Sequence, residues 1–359
     1  MKTSLYLLSL LLLAMACSKP TTGEYRILVG TYTQKGSDGI YYYRLDHEMN
    51  APVQISSTRG VSNPSFLTVS GDLVYTVNEE GEGRVQAYRL DRESGEFTLL
   101  NTRETGGAHP CHISTAGRWL FAGNYSGGNM AVFPLNDDGS IGERSQLIAN
   151  SGSGPVVSRQ EKSHVHSVNV SPDGRLLWVA DLGTDEVLVF AINENGVEEK
   201  TRVKMTPGAG PRHIAFHAKL PVAYVINELN NSVSVISTDD FSTLQEMSTL
   251  PEGFAEKSFC ADIHLSPDSR FLYGSNRYSD SIVTFAIDEN TGEISAPAHA
   301  PAGGAVPRNF AISPDGKYVL VANQDSDNVV VFERDLTTGL LKATGTEISV
   351  SMPVCVKFL

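Results

Sequence analysis

Residues 207–228 read PGAGPRHIAFHAKLPVAYVINE, and this stretch decides the fold. Two short apolar runs, 214–216 and 222–226, are separated by a polar turn. Alternating apolar residues in the first run and β-branched residues in the second predict two antiparallel strands rather than a helix.

Polar residues stand at both open ends of this predicted hairpin. Arg212 and His213 begin the first strand, and Glu228 follows the second. A hairpin brings the start of its first strand beside the end of its second. We therefore expect these three side chains to lie at one rim of the molecule.

The same two-strand unit recurs along the whole chain. Its first strands begin at equivalent positions, which are Pro64, Pro110, Val165, Pro211, Cys260, Pro307 and Pro353. The spacing is 46 to 49 residues, except for 55 residues between Pro110 and Val165. After each start but the last come a turn, a second strand, a third strand and a weaker fourth strand. Four short strands in a repeat of about 45 residues are typical of a β-propeller blade.

The two ends of the chain complete the ring. Six full units start at Pro64 to Pro307. The N-terminal segment supplies a second, a third and a fourth strand (26–32, 40–45 and near Gln54), and residues 353–358 supply a first strand. Joining them gives a seventh blade and leaves no exposed sheet edge. The sequence therefore predicts one all-β domain over residues 24–359, a seven-bladed β-propeller whose last blade is closed by the N- and C-terminal strands.

The first residues predict export. Lys2 is followed by an apolar run over residues 5–15, and Ala16 precedes Cys17. The run is too short for a comfortable membrane span. The pattern resembles a bacterial lipoprotein signal, with residues 1–16 as signal peptide, Cys17 as the lipidated residue and residues 17–23 as a tether. We expect an exported, membrane-anchored protein on the periplasmic or cell-surface side; an ordinary secretory signal, cut nearby, is the alternative.

Charge and cysteine usage narrow the function class. The chain has 28 basic and 41 acidic residues, a formal net charge of −13, and no basic cluster. This argues against binding to nucleic acid or electrostatic binding to anionic lipid. A local cationic pocket for an anionic substrate is still compatible with this overall charge.

Besides Cys17, three widely spaced cysteines predict neither a disulfide framework nor a metal site. Nothing in the sequence calls for a metal or a cofactor.

Polar residues concentrate at one mouth of the predicted channel. In a propeller the first strand of each blade lines the channel, so first-strand starts and second-strand ends face the same mouth. The polar residues at or beside these positions are His112, His164, His166, His213, Arg212, Arg277, Arg308, Glu79, Glu228, Tyr125 and Asn309. Such variety, rich in arginine and histidine, predicts a site for an anionic or polyhydroxylated small molecule.

The residue types suggest roles. The arginines can bind a carboxylate or phosphate and stabilise a developing oxyanion. Glu228, His164 or His166 could take a proton from water as general base. The chain has no serine nucleophile elbow, cysteine triad or HExxH motif, so covalent and zinc catalysis have no support. In the alternative interpretation, these groups pair with one another and tie the blades together.

Motifs in the same phase run through the chain: VGTYT (29–33), HVHSVNVSPDGR (164–175), GPRHIAFH (210–217), INEL (226–229) and SNR (275–277). With these motifs the sequence resembles the seven-bladed propeller lactonase family, which includes propeller-type 6-phosphogluconolactonases and is related to carboxy-muconate lactonizing enzyme. The resemblance covers the whole domain. It implies that the catalytic residues are His164, His166, Arg212, Glu228 and Arg277. The other mouth residues are then predicted to bind substrate: His112, His213, Arg308, Asn309, Glu79 and Tyr125.

Three functions follow as hypotheses. The leading one is a lactone hydrolase that opens a sugar lactone to its acid. The second is a lactonizing cycloisomerase that uses the same groups in the reverse sense. The third is a surface propeller that binds a sugar acid or a protein partner without turnover. Because phosphorylated sugar lactones are cytosolic intermediates, export favours an unphosphorylated or different lactone.

Overall fold

A computed structural model of the chain describes residues 23–359. The predicted signal peptide, Cys17 and the tether up to residue 22 lie outside the described residues. Within the described part, no helix is long and apolar enough to cross a membrane. The described chain forms seven four-stranded antiparallel sheets arranged as the blades of a propeller. The all-β, seven-bladed prediction is confirmed.

Six blades are each built from four consecutive strands, with the innermost strand first. Blade 1 contains β4 (Leu67–Ser70), β5 (Leu73–Asn78), β6 (Arg84–Leu90) and β7 (Phe97–Glu104). Blade 2 contains β8 (Pro110–Ala116), β9 (Trp119–Asn124), β10 (Asn129–Pro134) and β11 (Gln146–Ala149). Blade 3 contains β12 (Val165–Val170), β13 (Leu176–Asp181), β14 (Glu186–Asn193) and β15 (Gly196–Lys204).

The next three blades follow the same order. Blade 4 contains β16 (Pro211–Phe216), β17 (Val222–Asn227), β18 (Ser232–Ser237) and β19 (Thr243–Ser248). Blade 5 contains β20 (Phe259–Leu265), β21 (Phe271–Arg277), β22 (Ser281–Ile287) and β23 (Ile294–Pro301). Blade 6 contains β24 (Pro307–Ile312), β25 (Tyr318–Asn323), β26 (Asn328–Arg334) and β27 (Leu341–Ser349).

Blade 7 joins the two ends of the described chain. Its strands are, from the inside outward, β28 (Pro353–Phe358), β1 (Tyr25–Thr31), β2 (Ile40–Leu45) and β3 (Val53–Ser57). The pairing between β1 and β28 is antiparallel, with Ile27 opposite Phe358 and Val29 opposite Val356. The predicted closure of the ring is therefore confirmed.

One predicted strand start was wrong. Pro64 was expected to begin the first strand of blade 1, but β4 begins at Leu67. The Ser65 amide donates to the Asn63 carbonyl at 2.7 Å, so this segment begins with a local turn rather than with strand pairing. Bonds from the Val77 amide to the Phe66 carbonyl and from the Glu79 amide to the Asn63 carbonyl still hold this segment against the end of β5.

The hydrophobic core lies between neighbouring blades rather than in one centre. Trp178 of blade 3, for example, is fully buried and packs in one cluster with Val225 of blade 4. The second strands β9 and β17 are buried along their whole length, because both of their faces contact neighbouring blades. Three buried tyrosine hydroxyls add a polar bond to the next blade, donating to glycine carbonyls at 2.7–2.9 Å: Tyr75 to Gly139, Tyr224 to Gly292 and Tyr273 to Gly339.

A recurring irregularity sits where the innermost strands begin. In blade 4, Pro211 pairs with Asn227 and His213 pairs with Ile226, so Arg212 is the extra residue of a β-bulge. Blades 2, 3, 5 and 6 carry a register shift at the same place. A bulge re-aims side chains that a regular strand would send to opposite faces. Consecutive residues such as Arg212 and His213 can therefore both contribute to the channel. We call the channel end at which the innermost strands begin the upper mouth, and the opposite end the lower mouth.

Candidate active site

A buried carboxylate occupies the centre of the upper mouth. Glu228 follows β17 and is 2% exposed. Its Oε2 accepts a hydrogen bond from Arg212 Nε at 3.1 Å and forms an ion pair with Arg277 Nη2 at 2.9 Å. Its Oε1 accepts a hydrogen bond from Arg159 Nη2. Both carboxylate oxygens are thus held by guanidinium groups. We call Glu228 and these three arginines the carboxylate–arginine cluster.

The electrostatics of the cluster keep this carboxylate ionised. Burial raises the pKa of Glu228, but Arg277, Arg212 and Arg159 together outweigh burial and lower the pKa to about 2. A general base works best when its pKa lies near the working pH. With this pKa and with both oxygens engaged, Glu228 is a weak proton acceptor at neutral pH, and it fixes the positions of three cations instead.

Arg159 belongs to this site although the sequence analysis did not select it. It lies between β11 and β12, where 55 residues rather than 46 to 49 separate two repeat starts. Its guanidinium lies 5.4 Å from the ring centre of Phe259 and also donates to the Tyr125 hydroxyl at 3.3 Å. The extra length of this loop was the one signal in the sequence that could have identified it.

The other two arginines of the cluster are anchored from below. Arg212 Nη1 donates to His213 Nε2 at 3.1 Å and to the Ala261 carbonyl. Arg277 Nη2 donates to the Cys260 carbonyl at 2.8 Å. Burial, together with the positive charges of Arg277 and Arg308, lowers the pKa of Arg212 to about 10, so its guanidinium is still protonated at neutral pH. Both arginines therefore present fixed positive charge to the mouth.

The two histidines of the HVH motif have different surroundings. His164 has both ring nitrogens engaged, with Nδ1 3.0 Å from the Tyr125 carbonyl and Nε2 3.1 Å from Glu161 Oε1. His166 is 5% exposed, and its Nε2 lies 3.9 Å from Glu228 Oε2, too far for a hydrogen bond.

His166 is uncharged at neutral pH. Burial holds the pKa of His166 well below 6.5, and the charges of Arg212 and Arg308 lower it further. The ring is therefore unprotonated at neutral pH and has a nitrogen lone pair to accept a proton, and the same lowering of the pKa makes it a weaker base than an exposed histidine. Of the three candidate bases, His166 is the one that is neutral, buried beside the cluster and not tied up at Nε2 by a hydrogen bond within residues 23–359.

The rim of the upper mouth offers a further cation. The Arg308 guanidinium lies 5.4 Å from the Tyr32 ring centre, and the Tyr32 hydroxyl donates to Glu79 Oε2 at 2.9 Å. Burial lowers the pKa of Arg308, but Tyr32 and Glu79 raise it by more, so the group stays charged. Arg308 forms no ion pair with any residue of the described chain, unlike the arginines at Glu228. Its charge is free to meet an anion.

Three residues predicted to bind substrate lie one layer deeper. His213 Nδ1 is 2.7 Å from Asp262 Oδ1, and Asn309 donates to Asp262 Oδ2. The His112 ring stacks on Phe66 at a centroid distance of 4.1 Å. The structure thus gathers His112, His213 and Asn309 around Asp262, beneath the arginines, rather than around Glu228. We call this the Asp262 layer.

The remaining predicted residues also lie at the upper mouth. The centre of the Tyr125 ring lies 4.5 Å from that of His164, on which it stacks, and 5.3 Å from that of His166.

Within residues 23–359, no group of three histidine, cysteine, aspartate or glutamate side chains could hold a metal ion. Cys111, Cys260 and Cys355 are buried free thiols.

Comparison with known proteins finds similar proteins over nearly the whole chain. A family model described as "Lactonase, 7-bladed beta-propeller" matches residues 26–358. The 6-phosphogluconolactonase of Bacillus subtilis is 36% identical over 340 residues, which cover 92% of this chain and 97% of that protein. A crystal structure from Bacteroides fragilis is 39% identical with a TM-score of 0.89, covering 95% of this chain and 99% of that one. The periplasmic gluconolactonase of Pseudomonas aeruginosa is 36% identical with a TM-score of 0.88, covering 94% and 99%.

The cluster around Glu228 predicts a large stability effect. Glu228→Gln should lower the free energy of unfolding by about 3–5 kcal/mol, because it leaves buried guanidinium groups without their counter-charge. Glu79→Gln at the same mouth is the matched control and should cost about 1 kcal/mol or less, since Glu79 is partly exposed and accepts one hydroxyl. Denaturant unfolding of the three proteins measures both differences.

The pH dependence of that difference provides a check. The pKa of Glu228 is lowered from 4.5 to about 2, so its stabilisation is fully present above pH 4.5 and is lost as the pH falls to about 2. The gap between the wild type and Glu228→Gln should narrow over that range. Equal losses for the two variants at neutral pH would contradict the central role of Glu228.

Proposed function

This chain belongs to the seven-bladed β-propeller lactonase family, and from that premise we propose that it is a lactone hydrolase that opens a sugar lactone to its acid. The observation that carries the proposal is a buried carboxylate that fixes three guanidinium groups beside a neutral imidazole. Water addition to a lactone needs a proton acceptor and a stabiliser for the negative oxygen that develops. His166 and the arginines fit these two roles.

The substrate is proposed to lie between the rim and the cluster. Glu79 and Tyr125 can exchange hydrogen bonds with sugar hydroxyl groups, and Arg308 can bind a carboxylate or phosphate. The lactone carbonyl then faces the guanidinium groups of Arg212 and Arg277. These groups are held by Glu228 before substrate arrives, so little reorganisation is needed when charge develops.

In the proposed reaction, His166 accepts a proton from water as the water oxygen bonds to the lactone carbonyl carbon. The carbonyl oxygen becomes an oxyanion that the arginines stabilise. When the carbonyl re-forms, the bond between this carbon and the ring oxygen breaks. The protonated His166 then returns its proton to the departing ring oxygen, which becomes a hydroxyl group. The product is an open-chain hydroxy acid, whose carboxyl group loses its proton at neutral pH.

This assignment gives Glu228 and His164 supporting roles. Glu228 positions the arginines and limits the net charge of the mouth. His164 orients Tyr125 by stacking on its ring and bonding to its carbonyl oxygen. Of the three candidate bases from the sequence, we therefore propose His166 as the proton acceptor.

We also propose that the protein is exported and anchored through Cys17. The sequence before residue 23 supports this, with a basic residue, an apolar run and an alanine before Cys17. A related structure at 36% identity is that of a periplasmic gluconolactonase. An exported location favours an unphosphorylated lactone, such as glucono-1,5-lactone, as substrate.

The His166 assignment is tested by kinetics. His166→Asn should lower kcat/KM for glucono-1,5-lactone by about 10²- to 10⁴-fold, because the variant lacks the proton acceptor. His164→Asn should cost about tenfold or less, since it removes only a positioning contact. Proton release at constant pH, corrected for spontaneous ring opening and repeated with the 6-phosphate, measures both effects. A larger loss in His164→Asn than in His166→Asn would refute this assignment; saturable binding of the lactone with no acceleration would refute the hydrolase proposal.

The pH–rate profile gives a separate prediction. Because the pKa of His166 lies well below 6.5, it remains neutral at pH 6, where an exposed histidine would be roughly three-quarters protonated. Wild-type kcat/KM should therefore be almost unchanged between pH 7 and pH 6 and should fall only at lower pH. An acid limb with its midpoint at or above pH 6.5 would exclude His166 as the base.

The anchor is tested by fractionation. Cys17→Ser should move the protein from the membrane fraction to the soluble exported fraction without changing its lactonase activity, because the propeller begins after the tether. Membrane association that survives the substitution would contradict lipidation at Cys17.

A further inference from the structure

A second cavity occupies the channel below the Asp262 layer. It has a volume of about 320 Å³ and is enclosed by the innermost strands of blades 1 to 5 and by Lys357 of β28. Its lining runs from His112, His213 and Asp262 toward the C-terminal ends of those strands, where Thr68, Thr115 and Asn169 stand. It therefore lies toward the lower mouth, with the Asp262 layer between it and Glu228. This volume is in the range of small-molecule sites.

A cation without an ion pair in the described chain lines this cavity. Lys357 Nζ lies 4.5 Å from the ring centre of Phe66, a contact that holds the ammonium group against the cavity wall. The side chain is partly exposed. Within residues 23–359, no carboxylate forms an ion pair with Lys357. A partly desolvated, unpaired ammonium group attracts an anion.

The one carboxylate of the cavity is already satisfied. Asp262 Oδ1 lies 2.7 Å from His213 Nδ1, and Oδ2 lies 2.9 Å from His264 Nε2. Oδ2 also accepts from Asn309 Nδ2 and from the Phe310 amide at 3.3 Å. Four N–H groups thus surround this carboxylate, and Lys357 does not neutralise it by direct contact. The positive charge of Lys357 stays directed to the cavity.

Further polar side chains line the same cavity. The Ser114 hydroxyl is buried and has no hydrogen-bond partner in the described chain. The Thr68 side chain lines the same cavity and is partly exposed. A buried polar atom without a partner is costly and often marks a place that a bound group completes.

We propose that this lower cavity binds a small oxyanion, a carboxylate or phosphate group, through Lys357. Ser114 and Thr68 supply the neighbouring hydrogen bonds. The site is separate from the lactone site, because the Asp262 layer lies between them, and it does not depend on the proposed reaction. Arg308 at the upper mouth and Lys357 at the lower end of the channel are then two independent anion positions.

Titration calorimetry with matched variants tests the lower site. Inorganic phosphate is titrated into the purified protein, into Lys357→Met and into Arg308→Met, and glycolate is titrated in parallel. Lys357→Met keeps the apolar stem on Phe66 but removes the charge. It should weaken binding at one site about tenfold or more, whereas Arg308→Met should leave that site unchanged. A tighter response to phosphate or to glycolate identifies which oxyanion fits.

Lys357→Arg keeps the cation and should retain binding within about threefold, which separates loss of charge from misfolding. A thermal melt in anion-poor buffer checks that every variant folds. Three results would overturn the proposal: equal binding in the wild type and Lys357→Met, loss of all binding in Arg308→Met, or no saturable binding of either anion. Unchanged lactone turnover in Lys357→Met, with phosphate binding lost, would support a site separate from the lactone site.

Discussion

The upper mouth depends on one interaction, the buried carboxylate of Glu228 held between the guanidinium groups of Arg159, Arg212 and Arg277. Without the carboxylate, three positive charges would face one another in a space that is mostly closed to water. With it, each guanidinium has a fixed direction. The arrangement explains why a glutamate at this position is a poor base and holds the arginines in place, and it is the reason that we propose the neutral His166 beside it as the proton acceptor.

The fold supports this interaction from several blades at once. The four members of the cluster come from blade 4, blade 5 and the long loop between blades 2 and 3, so no single hairpin could build the site. Bulges at the starts of the innermost strands let consecutive side chains serve different layers. Arg212 contacts Glu228 above, while His213 contacts Asp262 below. A continuous series of polar contacts therefore links the upper mouth to the Asp262 layer.

The repeat made most of this predictable from sequence. Strand spacing, the SPDG turns and the incomplete units at both ends lead to seven blades, and they also bring Arg212, Arg277 and Glu228 to one mouth. Arg159 could not be predicted from its position in the repeat, because the loop that holds it is longer than the corresponding loops of the other repeats. The repeat places His213 one residue further into its strand than Arg212, as Asp262 and Asn309 are in theirs, but the contact between His213 and Asp262 could not be predicted from spacing. Our choice of His166 over His164 as the proposed base depends on hydrogen-bond partners, which spacing does not encode.

The pairing of β28 with β1 has a consequence for how the protein is made. The innermost strand of blade 7 is the last strand of the chain, so the ring stays open until residue 358 has left the ribosome. Until then β1 presents an unpaired edge, and blade 7 lacks its innermost strand. The closing pairs, such as Ile27 with Phe358, join residues at opposite ends of the described chain, and such non-local contacts are slow to form. For the export that we propose, a ring that closes late favours crossing of the membrane as an extended chain.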